Sequence, residues 1–387
     1  MADSPHRTRL LFLLHTLTLG GTERHLLRLL QALDPKRFSL TLLVLTDQTT
    51  NDLKSQFQAI ENLEIVCGPF GINNPRTFFW AFDYMVTHDF EFIIPFQPRC
   101  QFIAALFSHT HHHNGLIISE RGDRLFRDIW LGIFDRPLIL PTASRLIANS
   151  YFGCALLRKR GVDTSRIVVI PNGLDFHAIQ NAAHTKASLH SFPKGKKIIG
   201  YCGRLEKVKR LDVLIVAAAE LEKATLDKCH FVLVGEGSER QALEDLVKSR
   251  GLADSFSFMG FQKNPLELMR HFDVGVLCSA HEGFPNVILE MLALAVPVIA
   301  TAITSIPEII AHEKTGYLVP ANAPTHLAKA IEFFISNPDI AKSCGLAGQQ
   351  IISEKYTQER VVADYVALFE SIQPSHNLNQ SHASTHH

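Results

Sequence analysis

No run in this sequence is long enough and apolar enough to cross a bilayer. A spanning helix takes about 20 consecutive apolar residues, and the longest nearly apolar stretch, Val287–Ala300, is interrupted by Glu290. A secretory signature is missing too, since Met1 to Arg9 is polar and the apolar run Leu10–Leu14 is short for a signal peptide. A soluble or membrane-peripheral cytoplasmic protein is expected. Net charge is absent, with Lys+Arg 38 against Asp+Glu 38, which excludes nucleic-acid binding through bulk positive charge. An anionic surface would have to be met by local clusters such as Arg121, Arg124 and Arg127 or Arg158-Lys159-Arg160, which read equally well as solvated helix faces. The seven cysteines never fall in a Cys-x-x-Cys spacing. Most stand in apolar surroundings, as Cys202 and Cys278 do, where a thiol behaves as a small hydrophobe; that usage suits a reducing compartment. No low-complexity tract interrupts the 387 residues, a length that accommodates two domains.

What is present is alternation. Leu10–His15 is a short apolar run of the kind that forms a buried strand. Gly20-Gly21-Thr22 follows, and Glu23–Leu33 then carries a helical stripe at Leu26, Leu27, Leu29, Leu30 and Leu33. Further strands are expected at Ser39–Leu45, Leu63–Val66, Phe92–Pro95, Leu116–Ser119, Leu146–Ala148 and Ile167–Ile170, with helical segments between them. Pro171-Asn172-Gly173 is a turn signal, and 176–196, polar and without a clear period, reads as a linker. Strand and helix then alternate again from Lys197 to Ser336, and a helix over Tyr356–Ile372 closes the fold. The expected class is α/β, with two doubly wound, Rossmann-like domains facing each other across a cleft. The domains are placed at 1–175 and 176–355, with 356–372 packing back on the first and 373–387 a disordered tail.

Three places carry residues suited to phosphate and sugar chemistry. Gly20 and Gly21 lie between a strand and its helix, where amides and the helix N-terminus favour an anion; an ordinary βα loop is the plainer reading. Gly203-Arg204 and Lys209 follow a strand of the second half. Strand ends of open parallel sheets are where ligands bind, and two permanent cations there would stabilise a leaving diphosphate without a metal. The third place is Glu282-Gly283-Phe284-Pro285-Asn286-Val287-Ile288-Leu289-Glu290, a tight loop running into an apolar helix. Glu290, near the first turn of that helix, needs polar partners, and vicinal hydroxyls of a sugar or ribose would supply them. Helix-dipole complementarity is the alternative for Glu290, and a solvated loop carboxylate the alternative for Glu282.

Taken in order, these motifs resemble the group-one, family-four retaining glycosyltransferases of the GT-B fold, in which two glutamates separated by seven residues mark the donor site. Glu282 and Glu290 have that spacing. Pro171-Asn172-Gly173, Gly203-Arg204 with Lys209, Val234-Gly235-Glu236-Gly237, Gly260-Phe261, and Pro307-Glu308-Ile309-Ile310 with Thr315-Gly316 extend the match, densely over 165–330. Gly20-Gly21-Thr22-Glu23 fits the family's glycine loop. The resemblance implies that Glu290 holds the donor ribose and Glu282 the transferred sugar. Backbone groups of Phe284, Pro285, Asn286 and Val287 would contact sugar and diphosphate. Arg204 and Lys209 would neutralise the departing nucleoside diphosphate, with Gly21 closing from the opposite domain and Phe261 bordering the base. Many relatives place glycine after the lysine, where this chain has Arg210, a departure that bears on the turn there. The acceptor side is expected at Glu120, Arg121 and Asp123, where some relatives use a histidine.

The resemblance implies a hexose or N-acetylhexosamine moved from a nucleotide-diphosphate sugar, a UDP-sugar in particular, to a glycan or lipid-linked acceptor at the cytoplasmic membrane face. No cofactor or metal is expected. No Asp-x-Asp pair occurs to clamp one, and His109, His111, His112 and His113 have no Cys or acidic residues interleaved. Gly235-x-Gly237 lacks the third glycine of a dinucleotide loop. Phe78-Phe79-Trp80 with Phe82 reads as a core helix or as a membrane-touching cluster. A nucleotide-sugar epimerase or hydrolase of the same architecture, and a non-catalytic sugar-nucleotide binding subunit, remain as alternative readings.

Overall fold

A computed structural model describes residues 6–18, 20–46, 51–71, 74–121, 134–184 and 192–372. The expected tail 373–387, Gly122 and Asp123, and 185–191 of the expected linker lie outside the described residues. The chain divides into two compact units, Met1–Gly173 with Gln358–His387, and Leu174–Thr357.

In the first unit, β1 (Thr8–Leu14), β2 (Phe38–Val44), β3 (Leu63–Cys67) and β4 (Phe92–Pro95) form a parallel sheet in the order β3-β2-β1-β4. A second parallel sheet, β5 (Ile117–Glu120), β6 (Arg145–Ala148) and β7 (Ile167–Val169), continues from it through one parallel bridge between Ile93 and Leu116. These strands read as apolar runs because both faces are covered. Leu10, Phe12 and Leu14 enter one core, with α1 (Gly21–Ala32) and α12 (Gln358–Glu370) in it; Leu11 and Leu13 enter the other, with α3 (Arg76–Thr87) and α4 (Pro98–Thr110).

The second unit is one six-stranded parallel sheet, β8 (Lys197–Cys202), β9 (Cys229–Val234), β10 (Phe256–Gly260), β11 (Val274–Leu277), β12 (Val298–Thr301) and β13 (Tyr317–Val319), in the order β10-β9-β8-β11-β12-β13. Helices α7 (Leu211–Glu220), α8 (Arg240–Ser249), α9 (Asn286–Ala293), α10 (Pro324–Ser336) and α11 (Pro338–Lys355) join or follow the strands. Among the described residues no helix is long and apolar enough to cross a membrane.

The stretch expected as a linker is half helix, since α6 spans Phe176–His184. Its stripe is short but present: Ile179 and Ala183, four apart, are buried, and Phe176 packs against the same core. The aromatic run on α3 divides, with Phe78, Trp80 and Phe82 packed on the core and Phe79 69% exposed.

Candidate functional site

In the second unit the strand order reverses between β8 and β11, and ligands of open parallel sheets bind beyond the carboxyl ends of the strands at such a reversal. The structure places Arg204 and Lys209 after β8 and Glu282 after β11. Close backbone packing fixes the first loop. Gly203 N donates to Val234 O and Leu205 N to Glu236 O, both at 2.9 Å. Gly235 has φ +137°, and a Cβ there would lie 1.9 Å from Gly203 O, so this turn takes glycine for steric reasons. The buried Tyr201 hydroxyl donates to the Arg204 carbonyl at 2.8 Å, leaving the Arg204 side chain exposed.

The loops after β8 and β11 are fastened to each other. Ala280 N donates to Val208 O at 2.9 Å. Cys278 donates its S–H to the carbonyls of Lys209 (3.4 Å) and Arg210 (3.1 Å). Burial pushes this thiol up to about 12, so it is a hydrogen-bond donor and not a thiolate nucleophile. The side chains then converge. Lys209 Nζ and Ser279 Oγ both donate to Glu282 Oε1, each at 2.6 Å. With Lys209 17% and Glu282 10% exposed, this ion pair is shielded from the solvent that makes surface pairs weak.

Arg210 adopts φ 50°, ψ 42°, the left-handed conformation glycine takes without cost. The turn therefore has the shape a glycine would give it, with an arginine held in place. Its guanidinium grips Asp212 through Nε (3.0 Å) and Nη2 (2.9 Å), and Nη1 bonds Asn322 Oδ1.

The rest of the expected donor set divides by burial. Glu290 is the fifth residue of α9, at the end of its first turn as expected, and only 8% exposed. Phe284 packs its ring into the core beside Tyr356, centroids 5.9 Å apart, so only its backbone is suited to a ligand. Pro285 is the extended N-cap of α9, and Asn286 and Val287 open the helix. Phe261, just past β10, is 63% exposed.

In the first unit the sheet order reverses between β1 and β4. Gly20 is the extended N-cap of α1 (φ −142°) and Gly21 its first residue. A carboxylate already sits at this helix start. Glu23 is buried, and its Oε2 would lie 2.3 Å from a Cβ on Gly20. Gln97 bridges across the reversal, donating to Glu23 Oε1 at 3.1 Å and accepting from His15 N at 2.5 Å. Burial raises the Glu23 pKa.

Of the expected acceptor residues, Glu120 ends β5, is buried, and lies 3.5 Å from Arg160. Arg121 is spread over protein partners from distant parts of the chain. Nε donates to Ser119 Oγ (2.9 Å), Nη1 to Asn172 Oδ1 (2.6 Å), and Nη2 to His25 Nε2 (2.6 Å) and the Tyr365 hydroxyl (2.5 Å). Its guanidinium also stands 5.3 Å from the Phe96 ring centroid. Because arginine only donates, His25 Nε2 is an acceptor and Nδ1 carries the proton. The histidine run does not gather: His113 is buried against Phe90 O and His111 stacks on Phe107. Among the described residues no three His, Cys, Asp or Glu side chains are grouped to hold a metal.

Ser279, Thr301, Ser305, Gln97 and His25 escaped the sequence reading. The first polar residue after an apolar run marks Ser279, two positions past the end of β11, and the same signal marks Gln97, two positions past the end of β4.

Comparison with known proteins places both halves. Residues 185–351 match the family model of group 1 glycosyl transferases, and residues 19–177 that of Glycosyltransferase Family 4. N-acetyl-alpha-D-glucosaminyl L-malate synthase of Bacillus anthracis is 29% identical over 183 residues, 47% of this chain and 48% of that protein. D-inositol 3-phosphate glycosyltransferase of Corynebacterium urealyticum is 30% identical over 249 residues, 60% of this chain and 58% of that protein. The chain spans about half the length of the curated relatives it matches. In fold, HepE of Anabaena, solved in complex with UDP, superposes with TM-score 0.79 at 19% identity, covering 94% of this chain and all of that one. WaaG, a glycosyltransferase of lipopolysaccharide biosynthesis, gives 0.71 at 15% identity, covering 92% and 99%. Two parallel α/β units of this kind are those of GT-B enzymes, and with a family match on each of them the chain belongs to the group 1 glycosyltransferases.

Proposed function

We propose that this chain is a retaining, metal-independent glycosyltransferase moving a hexose or N-acetylhexosamine from a nucleotide-diphosphate sugar, a UDP-sugar in particular, to a glycan or lipid-linked acceptor. The observation that carries this reading is the meeting of Lys209, Ser279 and Glu282 at the sheet reversal of the second unit. Arg204 and Lys209 are cations at the end of β8, suited to the charge that develops on a leaving diphosphate. Glu282 and Glu290 are shielded carboxylates, suited to sugar and ribose hydroxyls. The bond from the anomeric carbon to the phosphate oxygen breaks, the acceptor oxygen bonds that carbon on the same face, and its proton passes to the departing phosphate. No side chain is assigned as nucleophile.

HepE, solved with UDP-glucose, supports a UDP-sugar as donor. Relatives named for N-acetylglucosaminyl transfer to L-malate and to poly(ribitol-phosphate) support the sugar class and show how widely acceptors vary. The acceptor is assigned to the end of β5, at Glu120 and Arg121, and to Asp123, which lies outside the described residues. Phe79, exposed on α3, supports contact with a cytoplasmic membrane face.

A thermal-shift screen against nucleotide sugars, followed by a transfer assay in excess chelator, tests the reading. A ligand of the native state raises apparent stability by mass action. The expected outcome is a shift with UDP-sugars and transfer that survives chelation. No shift with any sugar nucleotide removes the donor site, and activity that needs an added divalent ion removes the metal-free mechanism.

A further inference from the structure

Glu282 Oε1 accepts from two donors of different character. Lys209 brings a charge that a nucleoside diphosphate would also draw on. Ser279 Oγ is neutral and its residue has no exposed surface. The loop that carries Ser279 is tied on both sides of Glu282 by hydroxyls from the next crossover. Thr301 Oγ1 donates to Ser279 O at 2.8 Å, and Ser305 Oγ donates to Gly283 O at 2.6 Å. Thr301 and Ser305 are themselves buried, so all three hydroxyls are dedicated to this loop.

We propose that Ser279 is the positioning residue for Glu282, holding the carboxylate in place for the transferred sugar while the Lys209 ammonium turns from Glu282 to the donor diphosphate. The inference rests on the donor-site reading above. A diphosphate carries more charge than one carboxylate, so it competes for Lys209 by simple electrostatics. Without the Ser279 hydroxyl, a glutamate released by Lys209 would regain rotamer freedom, which costs affinity when a ligand must order it again. Ser279, fixed by its own backbone contact with Thr301, removes that cost. Its effect is therefore confined to ligands that include the sugar, because the nucleoside diphosphate alone has nothing for Glu282 to hold.

The test is calorimetric titration of wild type, Ser279→Ala and Ser279→Thr with UDP and with UDP-glucose, the pair seen with HepE, and with GDP and GDP-mannose as a second pair, alongside steady-state kinetics. In Ser279→Ala the nucleoside diphosphate is expected to bind within about twofold of wild type, while the sugar nucleotide weakens and kcat falls, each by roughly tenfold. Ser279→Thr keeps the hydroxyl and should restore both. If threonine is too large for the buried position, a lowered melting temperature reveals it and the alanine variant alone decides. Equal losses for diphosphate and sugar nucleotide, or no loss for either, overturn the positioning role while leaving the donor site standing. Failure of wild type to bind any of the four ligands overturns the donor-site reading and Ser279's role with it.

Discussion

Lys209 Nζ lies 2.6 Å from Glu282 Oε1, a contact between residues 73 apart in sequence that joins the loops of two adjacent strands. Removing one member leaves the other charge shielded and underpaired, which costs more than the pair's net contribution. Lys209→Met and Glu282→Gln are each expected to lower stability, and the double variant to lose less than their sum, with a coupling of about 0.5–3 kcal/mol in urea denaturation. Strict additivity would mean the contact carries no energy.

Activity offers a separate check on the same residues. Glu282→Gln and Glu290→Gln are each expected to reduce turnover about tenfold to a hundredfold with the fold intact, the effect of losing one charge-assisted hydrogen bond of roughly 1.5–3 kcal/mol. Full activity in both variants, with folding verified by circular dichroism, would sink their assignment to the donor.

Arg210 holds a left-handed conformation in which a side chain is strained by about 1–2 kcal/mol, offset by its grip on Asp212 and Asn322. Arg210→Gly relieves the strain, loses those contacts and frees the unfolded chain, so stability should stay within about 1 kcal/mol of wild type. Arg210→Val keeps the strain, adds β-branching and makes no such contacts, and should lose about 1–3 kcal/mol. Equal midpoints for the two variants would show that the turn relaxes elsewhere.

The strands and the donor loops were legible because each is a local signal. An apolar run with both faces covered looks the same in any buried parallel strand, and glycine, proline and glutamate at fixed offsets mark the loop after β11. Helix α11 was not legible. Gly345 and Gly348 weaken its pattern, and they are there because the helix lies close to the chain beneath: a Cβ on Gly345 would meet Ala295 O at 2.1 Å. Nor could the sequence reveal the setting of Arg121, whose partners sit at 25, 119, 172 and 365. Hydrogen bonds of that separation are products of the fold and leave no spacing to read. Arg210 shows the reverse case, a departure from a glycine pattern that the backbone absorbs.

Tyr365 ties α12 to this arginine. Tyr365→Phe preserves the ring, which is buried beside Phe369, and deletes one acceptor from the Arg121 guanidinium. Leaving a shielded donor without its partner should cost about 1–3 kcal/mol, read as a lowered urea midpoint of the first unit. An unchanged midpoint would mean that water or another acceptor replaces the hydroxyl.

His25 gives the first unit a pH dependence with a definite sign. The groups facing it are Arg121 at the end of β5, Arg28 on its own helix, Tyr365 on α12 and the Phe96 ring. Burial first, and then Arg121 and Arg28, hold its pKa well below the usual imidazole value of 6.5. The folded protein therefore keeps His25 neutral at a pH where the unfolded chain already binds a proton. Stability from this group is fully present above pH about 6.5 and falls as the pH drops below it, by up to about 1.4 kcal/mol per unit until the folded pKa is reached. Glu23, whose pKa is raised by burial, works in the opposite direction, and buried His113, also lowered by burial, in the same one. Both are present in wild type and variant alike, so they cancel in a comparison. His25→Gln offers the Arg121 guanidinium a neutral acceptor that does not titrate. Between pH 7 and pH 5 the wild type should lose stability more steeply than His25→Gln, the two curves converging toward low pH. Parallel curves, measured by urea denaturation at each pH, would show that His25 protonates in the folded state as readily as in the unfolded one.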